Sequence, residues 1–108
     1  MFSKIKRGIK WFWQRKTRGW DDREIYSLDI TIAQFIIPRL KFYHDNYGGC
    51  PSGLTEEKWK EIVGKILHTF ELIADEKHLP GSEDFEKYDE IMQEGLDLFR
   101  QYYFSLWW

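Results

Sequence analysis

The feature that most constrains the fold is a long apolar stripe at helical spacing in the middle of the sequence. Its residues recur every three or four positions over about four turns, which is the period of one face of an α-helix. Thr55 precedes the stripe as a predicted N-cap, and Glu56 and Glu57 place negative charge at the positive end of the helix. Such a stripe is too apolar to face water, so other elements must cover it. It consists of Trp59, Ile62, Val63, Ile66, Leu67, Phe70, Ile73 and Ala74.

The covering elements are also predicted to be helices. Similar stripes run through residues 2–17, through residues 28–47 and from residue 85 onward, and no segment alternates like a β-strand. Ser27 and Ser82 are the predicted N-caps of the second and fourth helices, and the glycines and proline of residues 48–53 form a loop. The sequence predicts an all-α, small four-helix bundle-like domain spanning residues 1–108, with a basic amphipathic helix in residues 1–19 and a helical core in residues 20–108.

Pro38 lies inside the apolar stripe of residues 28–47, which is the predicted second helix. Its ring removes the amide that would bond to the Gln34 carbonyl. The sequence therefore predicts a second helix that is kinked at this proline or broken into two shorter helices.

Tryptophans cluster near both ends of the chain. Trp11 and Trp13 fall on different sides of the first helix, so one groove within the chain cannot easily cover both. Trp107 and Trp108 would leave a large apolar area in water, at about 25 cal/mol per Å². We therefore expect these four residues to contribute to an interface, and the protein to form a homo-oligomer.

Charge is divided unevenly along the chain. Residues 1–20 hold seven bases and no acid, which leaves nine bases against eighteen acids, a formal charge of −9, in the remainder. This asymmetry favours contact of the basic segment with an anionic partner or with an acidic surface, including that of a neighbouring subunit.

Signals for secretion or for membrane insertion are missing from the sequence. No apolar run approaches the roughly 20 residues that a membrane-spanning helix needs, and bases interrupt the N-terminal apolar positions where a signal peptide needs a continuous run. Cys50 is the only cysteine, so it cannot form an intramolecular disulfide, which suits a reducing compartment. We expect a cytoplasmic protein.

The first helix fits two interpretations. Bases opposite Ile, Phe and Trp are typical of a helix that lies on an anionic membrane surface. The same pattern suits a helix that packs on its own domain, and this interpretation is favoured because four helices can share one core. Duplex DNA is not an expected partner, since the acidic remainder of the chain would repel the phosphates.

Side chains suited to catalysis or metal binding are scattered. His44, His68 and His78 are far apart, and neither they nor Cys50 show the paired spacing of a zinc site. His68 and Glu71 have the spacing of half a carboxylate-bridged metal site, but no second pair exists. A glycine-rich phosphate loop and a nucleophile elbow are both missing. We therefore expect no enzymatic activity, no metal and no cofactor.

Rings, guanidinium groups and carboxylates alternate in the segment that joins the first two helices. Rings can stack on a base, arginines can bind phosphate with two hydrogen bonds, and carboxylates can accept from ribose hydroxyls, so the segment suits a nucleotide-type ligand. Ion pairs between Asp22 and Arg23 and between Asp29 and Arg39, which would fix the angle between helices, are the structural alternative, and the residues alone favour it. The candidate ligand-binding residues are Arg18, Trp20, Asp22, Arg23, Tyr26, Asp29, Arg39 and Lys41.

Five short blocks follow one another in a fixed order along the chain. They are residues 18–23 (RGWDDR), 26–29 (YSLD), 37–41 (IPRLK), 54–59 (LTEEKW) and 94–99 (EGLDLF), and Leu106 and Trp107 follow them. In this order they resemble a family of small uncharacterised proteins encoded by tailed bacteriophages and prophages. Tyr26 departs from the family pattern, which has tryptophan at that position.

What the resemblance implies is a phage context inside a bacterial host cell. Small phage proteins often act there by binding, and some sequester nucleotide signals of host immunity in pockets shared between subunits. The resulting prediction is a non-enzymatic accessory protein that binds and sequesters a ligand, such as one of these nucleotides, to counter host defence. The alternative is a helical adaptor or assembly protein that docks on another protein through exposed aromatic residues.

Overall fold

The fold is described from a computed structural model that covers residues 2–46, 48–81, 83 and 85–107. All regular structure within these residues is helical, which confirms the all-α prediction. The predicted cap Ser82, the stripe residue Tyr47 and the interface residue Trp108 lie outside the described residues. The elements are α1 (Phe2–Arg18), α2 (Arg23–Tyr26), α3 (Leu28–Asn46), α4 (Glu56–Ala74), α5 (Phe85–Tyr102) and a 3-10 turn (Tyr103–Ser105).

Helix α4 is the centre of the fold, as its stripe predicts. The Thr55 hydroxyl accepts a hydrogen bond from the Lys58 amide at 3.1 Å, so the predicted N-cap is confirmed. Helices α3 and α5 both pack on α4 and leave most of its apolar stripe buried. The buried residues of α4 are Trp59, Ile62, Val63, Ile66, Thr69, Phe70, Leu72 and Ile73.

Helix α4 ends in a backbone motif that fixes the direction of the next segment. The Lys77 amide bonds to the Leu72 carbonyl and the Glu76 amide bonds to the Ile73 carbonyl, both at 3.0 Å, which is the Schellman pattern. Glu76 stands at the left-handed position of this motif with φ 62°. A side chain other than glycine is strained in that conformation.

Helix α3 runs through Pro38 as a single helix, so the predicted alternative of two shorter helices is wrong and the kink stays a prediction. Its buried residues, Ala33 and Leu40, lie on either side of the proline and hold the helix against α4. Packing therefore outweighs the one backbone hydrogen bond that the proline removes.

Helices α4 and α5 approach each other closely at Gly95. A methyl group on Gly95 would lie 1.7 Å from Thr69 Oγ1 and 2.5 Å from Thr69 Cβ. The Thr69 hydroxyl already has a hydrogen-bond partner, because it donates to the Ile91 carbonyl at 3.3 Å. Glycine is needed here for the distance between helices, and not for an unusual backbone conformation.

Helix α1 contributes little to the packing of α3, α4 and α5, and the described residues measure 58 Å along their longest axis. Its apolar residues Ile5, Ile9, Phe12 and Trp13 are between 50% and 60% exposed. The expectation that this face packs on its own domain is therefore wrong. The reason lies in the connector between α1 and α3, which binds the opposite, polar face of α1.

Candidate functional site

The connector between α1 and α3 is organised around a buried carboxylate, Asp21. Its side chain is only 2% exposed and accepts hydrogen bonds from Arg23 Nε at 3.1 Å, Arg23 Nη2 at 2.9 Å and the Arg23 amide at 3.0 Å. Arg15 Nε lies 3.9 Å away. The hydrogen bonds from the Arg23 side chain hold the pKa of Asp21 below its ordinary value, and the same contact raises the pKa of Arg23. Asp21 therefore works as a fixed anion inside the connector.

The neighbouring carboxylate, Asp22, ties the connector to α1. The Gln14 side-chain amide donates to Asp22 Oδ2 at 2.8 Å and its oxygen accepts from the Asp22 amide at 2.9 Å. Arg18 Nη2 lies 2.7 Å from Oδ1, and Lys10 Nζ lies 3.2 Å from Oδ2. Hydrogen bonds from Gln14, and then from Arg18, lower the pKa of Asp22 to about 2.

These contacts place one face of α1 against the connector. Lys10, Gln14 and Arg18 follow each other at intervals of four, so they project from the same side of the helix. We call the contacts of Asp21 and Asp22 with Gln14, Arg18 and Arg23 the connector brace. The brace directs the polar face of α1 inward and its apolar face away from the bundle.

Two tryptophan rings stack on the arginines of the brace. The Arg18 guanidinium lies 3.7 Å from the centre of the Trp20 ring, and the Arg23 guanidinium lies 4.2 Å from the centre of the Trp11 ring of α1. Such contacts are favourable cation–π interactions. Of the groups predicted to bind a nucleotide, Arg18 thus contacts Trp20 and Asp22, whereas Arg23 is engaged by residues outside that set.

The remaining candidate residues are spread along α2 and α3. Tyr26 is 77% exposed, and Asp29 Oδ2 lies 2.5 Å from His78 Nε2 in the segment after α4. Arg39 donates to the Phe35 carbonyl at 2.7 Å and stacks on the ring of the same residue at 3.7 Å. Lys41 is exposed farther along α3. The structure therefore gathers Arg18, Trp20, Asp22 and Arg23 but not the other four.

The sequence predicts that ion pairs of Asp22 with Arg23 and of Asp29 with Arg39 fix the angle between helices, but both carboxylates have other partners. Asp22 pairs with Arg18 and Lys10 instead of Arg23, because Arg23 turns toward the buried Asp21. Asp29 pairs with His78, since the segment after α4 comes closer than Arg39. Nothing in the spacing of the sequence distinguishes Asp21 from Asp22, so the more buried carboxylate was missed.

The predicted interface tryptophans differ in exposure. Trp11 is half-buried beneath Arg23, whereas Trp13 lies on the outward face of α1 with its ring edge-on to Phe12, 5.9 Å between centres. Trp107 is 75% exposed, and its backbone carbonyl accepts a hydrogen bond from the Tyr43 hydroxyl at 3.2 Å.

An exposed apolar surface runs along α2 and α3. Ile25, Leu28, Ile32 and Phe35 are between 50% and 61% exposed, and we call them the α3 face. The apolar stripe of residues 28–47 includes Leu28, Ile32, Phe35 and Leu40. Of these four only Leu40 is buried in the core, together with Ala33, which is not part of the stripe. Helical spacing identifies an apolar face without telling whether the face is covered within one chain.

A groove lies beside the α3 face, between α3, α4 and α5. It encloses about 450 Å³ and has mostly apolar walls. Ile32 belongs both to the groove and to the α3 face, so the two surfaces are continuous. The groove is lined by Asp29, Ile32, Phe70, Ile73, His78, Phe85, Asp89, Met92, Gln93 and Leu96.

Comparison with family models, with curated proteins and with solved structures finds no match for this chain. The phage context therefore stays a prediction from the resemblance. Within the described part of the chain, no helix is both long enough and apolar enough to cross a membrane. Nor do three or more His, Cys, Asp or Glu side chains gather there as a metal site would require.

Proposed function

We propose that this chain is a non-enzymatic assembly protein that works as a homo-oligomer, joined through helical faces that a single copy leaves exposed. The observation that carries the proposal is the α3 face, formed by Ile25, Leu28, Ile32 and Phe35 at half exposure or more. Single apolar residues are common on protein surfaces, but a contiguous row of four on adjoining helices is typical of an interface.

The energy available on this face is enough to support association. Full burial of a large aliphatic or aromatic side chain contributes about 1.5–3 kcal/mol, so the half-exposed residues of the α3 face each retain roughly 1 kcal/mol. The groove beside the face extends the apolar area. A second copy can use all of this surface at once, and closed symmetric oligomers are the usual result of such self-complementary patches.

The brace gives less support to a ligand-sequestering role. A nucleotide phosphate at Arg23 would have to displace Asp21, whose carboxylate already forms two hydrogen bonds with that guanidinium. Stacking of a base on Trp20 would have to displace Arg18 from the ring. Sequestration of a nucleotide stays a prediction, and assembly needs no such displacement.

Docking on a different protein is the second candidate. The observation that favours it is the exposure of aromatic residues after α5, where Phe104 is 92% and Trp107 is 75% exposed. Aromatic residues of this kind are enriched in binding hot spots. This candidate predicts that Phe104→Ser leaves the oligomer intact while it weakens binding to a purified partner protein at least about tenfold.

Sedimentation velocity of purified protein over a range of concentrations tests self-assembly. Phe35→Glu places a charge on the α3 face, whereas Gln34→Glu places the same charge on the next, exposed residue of α3 and serves as the matched control. We expect Phe35→Glu to dissociate the oligomer and Gln34→Glu to leave it unchanged. A wild-type chain that stays monomeric at all concentrations would overturn the proposal.

A further inference from the structure

The outward face of α1 is an apolar surface that the described residues leave uncovered. Ile5, Ile9, Phe12 and Trp13 form this face at helical spacing, and each is at least half exposed. Helix α1 also carries seven bases and no acid. Whatever covers the face must therefore offer apolar contact together with negative charge.

The groove between α3, α4 and α5 offers both properties. Its walls are apolar, and Asp29 and Asp89 lie among its lining residues. Glu86 and Glu90 add acid on the same stretch of α5 as Asp89. The volume of about 450 Å³ is enough for the tips of a few large side chains such as Ile9 and Phe12.

A chain cannot bring its own α1 into its own groove while the connector brace is intact. Asp22 binds Gln14 and Arg18 on the polar face of α1, and Arg23 lies over Trp11. These contacts turn the apolar face of α1 away from the bundle, where it is open to another molecule. The groove and the face are complementary but separated within one copy.

We propose that α1 of one copy lies in the groove of a second copy, with Ile9 and Phe12 against its apolar walls and the bases of α1 beside its acids. The inference rests on the proposed self-assembly and names the element that produces it. Reciprocal exchange of α1 closes a two-fold dimer in which both apolar surfaces are covered. It also brings the basic segment, residues 1–20, against the remainder, which carries a formal charge of −9.

Sedimentation equilibrium with two variants of α1 tests this occupant. Ile9→Glu puts a charge on the apolar face, and Ser3→Glu puts the same charge on an exposed residue of the opposite, polar face. We expect Ile9→Glu to raise the dimer dissociation constant at least about tenfold and Ser3→Glu to change it less than about threefold. Because Ile9 is 53% exposed in its own copy, urea unfolding measured below the dimer dissociation constant should be the same in both variants.

Cross-linking between differently sized copies tests the contact directly. A tagged chain with Phe12→Cys and an untagged chain with Ile32→Cys, both with Cys50→Ser, are mixed and treated with a short bismaleimide. We expect a product of one tagged and one untagged chain. The control replaces Phe12→Cys with Arg7→Cys, on the other side of α1, and should give little of this product. Equal yields from both tagged chains would overturn the proposed orientation.

The outcomes separate this inference from the proposed function. If Phe35→Glu dissociates the oligomer and Ile9→Glu does not, self-assembly stands and the exchange of α1 is overturned. If the chain is monomeric, both fail. Co-sedimentation with vesicles of phosphatidylglycerol and phosphatidylcholine tests an anionic membrane as the other occupant of the α1 face. If Ile9→Glu abolishes vesicle binding but leaves the oligomer unchanged, α1 binds a membrane surface and the exchange is overturned.

Discussion

Replacing Gly95 with alanine is expected to push α4 and α5 apart and to destabilise the bundle. The new methyl group would stand 1.7 Å from Thr69 Oγ1 and 2.5 Å from Thr69 Cβ, whereas ordinary contacts begin at 3.4 Å. Rotation of the Thr69 side chain relieves the first contact but not the second, because Cβ is fixed to the backbone. One of the two helices must therefore move by nearly an ångström.

The magnitude follows from two opposing effects. Alanine in a helix interior is favoured over glycine by about 1 kcal/mol. Overpacking in a close-packed interior costs about 1–3 kcal/mol, and the upper end applies because the obstructing atom belongs to a fully buried residue. The net loss is about 2 kcal/mol in the free energy of unfolding.

Urea unfolding followed by far-UV circular dichroism measures this loss, with Gly64→Ala as the control. A methyl group on Gly64 would meet His44 Nε2 at 3.5 Å, an ordinary contact, so this variant should gain up to about 1 kcal/mol. Combining Gly95→Ala with Thr69→Gly removes the obstructing atoms and should give a favourable coupling of at least about 1 kcal/mol. A Gly95→Ala variant as stable as Gly64→Ala would refute the proposed close approach of α4 and α5.

Three further predictions concern the helix ends and the connector. Glu76→Gly should stabilise the protein by about 1 kcal/mol, because glycine relieves the left-handed strain at φ 62°; an unchanged urea midpoint would count against that strain. Because the pKa of Asp22 is lowered from 3.8 to about 2, its stabilisation is full above pH 4 and is lost as the pH falls toward 2. Tryptophan fluorescence measured against pH should follow this loss. Identical pH profiles of the wild type and of Asp22→Asn would contradict the role of Asp22. A thermal-shift panel of cyclic and ADP-ribose-type nucleotides should give no stabilisation, since Arg23 is engaged by Asp21; a shift that Arg23→Ala removes would instead support nucleotide sequestration.

The parts of the fold that the sequence predicts well are those with local determinants. The start of α4 follows from Thr55 and two acids, and the start of α3 follows immediately after Ser27. The Gly95 contact has no such local signal, because Gly64 also lies inside a strongly periodic helix and makes only an ordinary contact. Its partner, Thr69, could not be predicted, since the register of two helices is set by tertiary packing.

The α3 face and α1 show what periodicity leaves undetermined. A stripe such as Leu28, Ile32 and Phe35 shows that one face of a helix is apolar. Such a face can pack in the core of one chain or in an interface between chains. What decides between them is the orientation of the helix, which the brace sets for α1 through Asp22 and Gln14. Because the brace consists of a few polar contacts across a short connector, no pattern of apolar residues could reveal it.

The adjoining carboxylates of the connector show how burial assigns different roles to the same residue type. Asp21 is buried and satisfied mainly by Arg23 of its own segment, so its loss should disturb the connector itself. Asp22 is more exposed and reaches across to α1, so its loss should release α1 while the connector keeps its fold. If α1 is exchanged between copies, Asp22 controls the direction in which the exchanged helix leaves its own bundle. Asp22→Ala should then lower the cross-linking yield between α1 and the groove, even though Asp22 contacts neither surface of that interface.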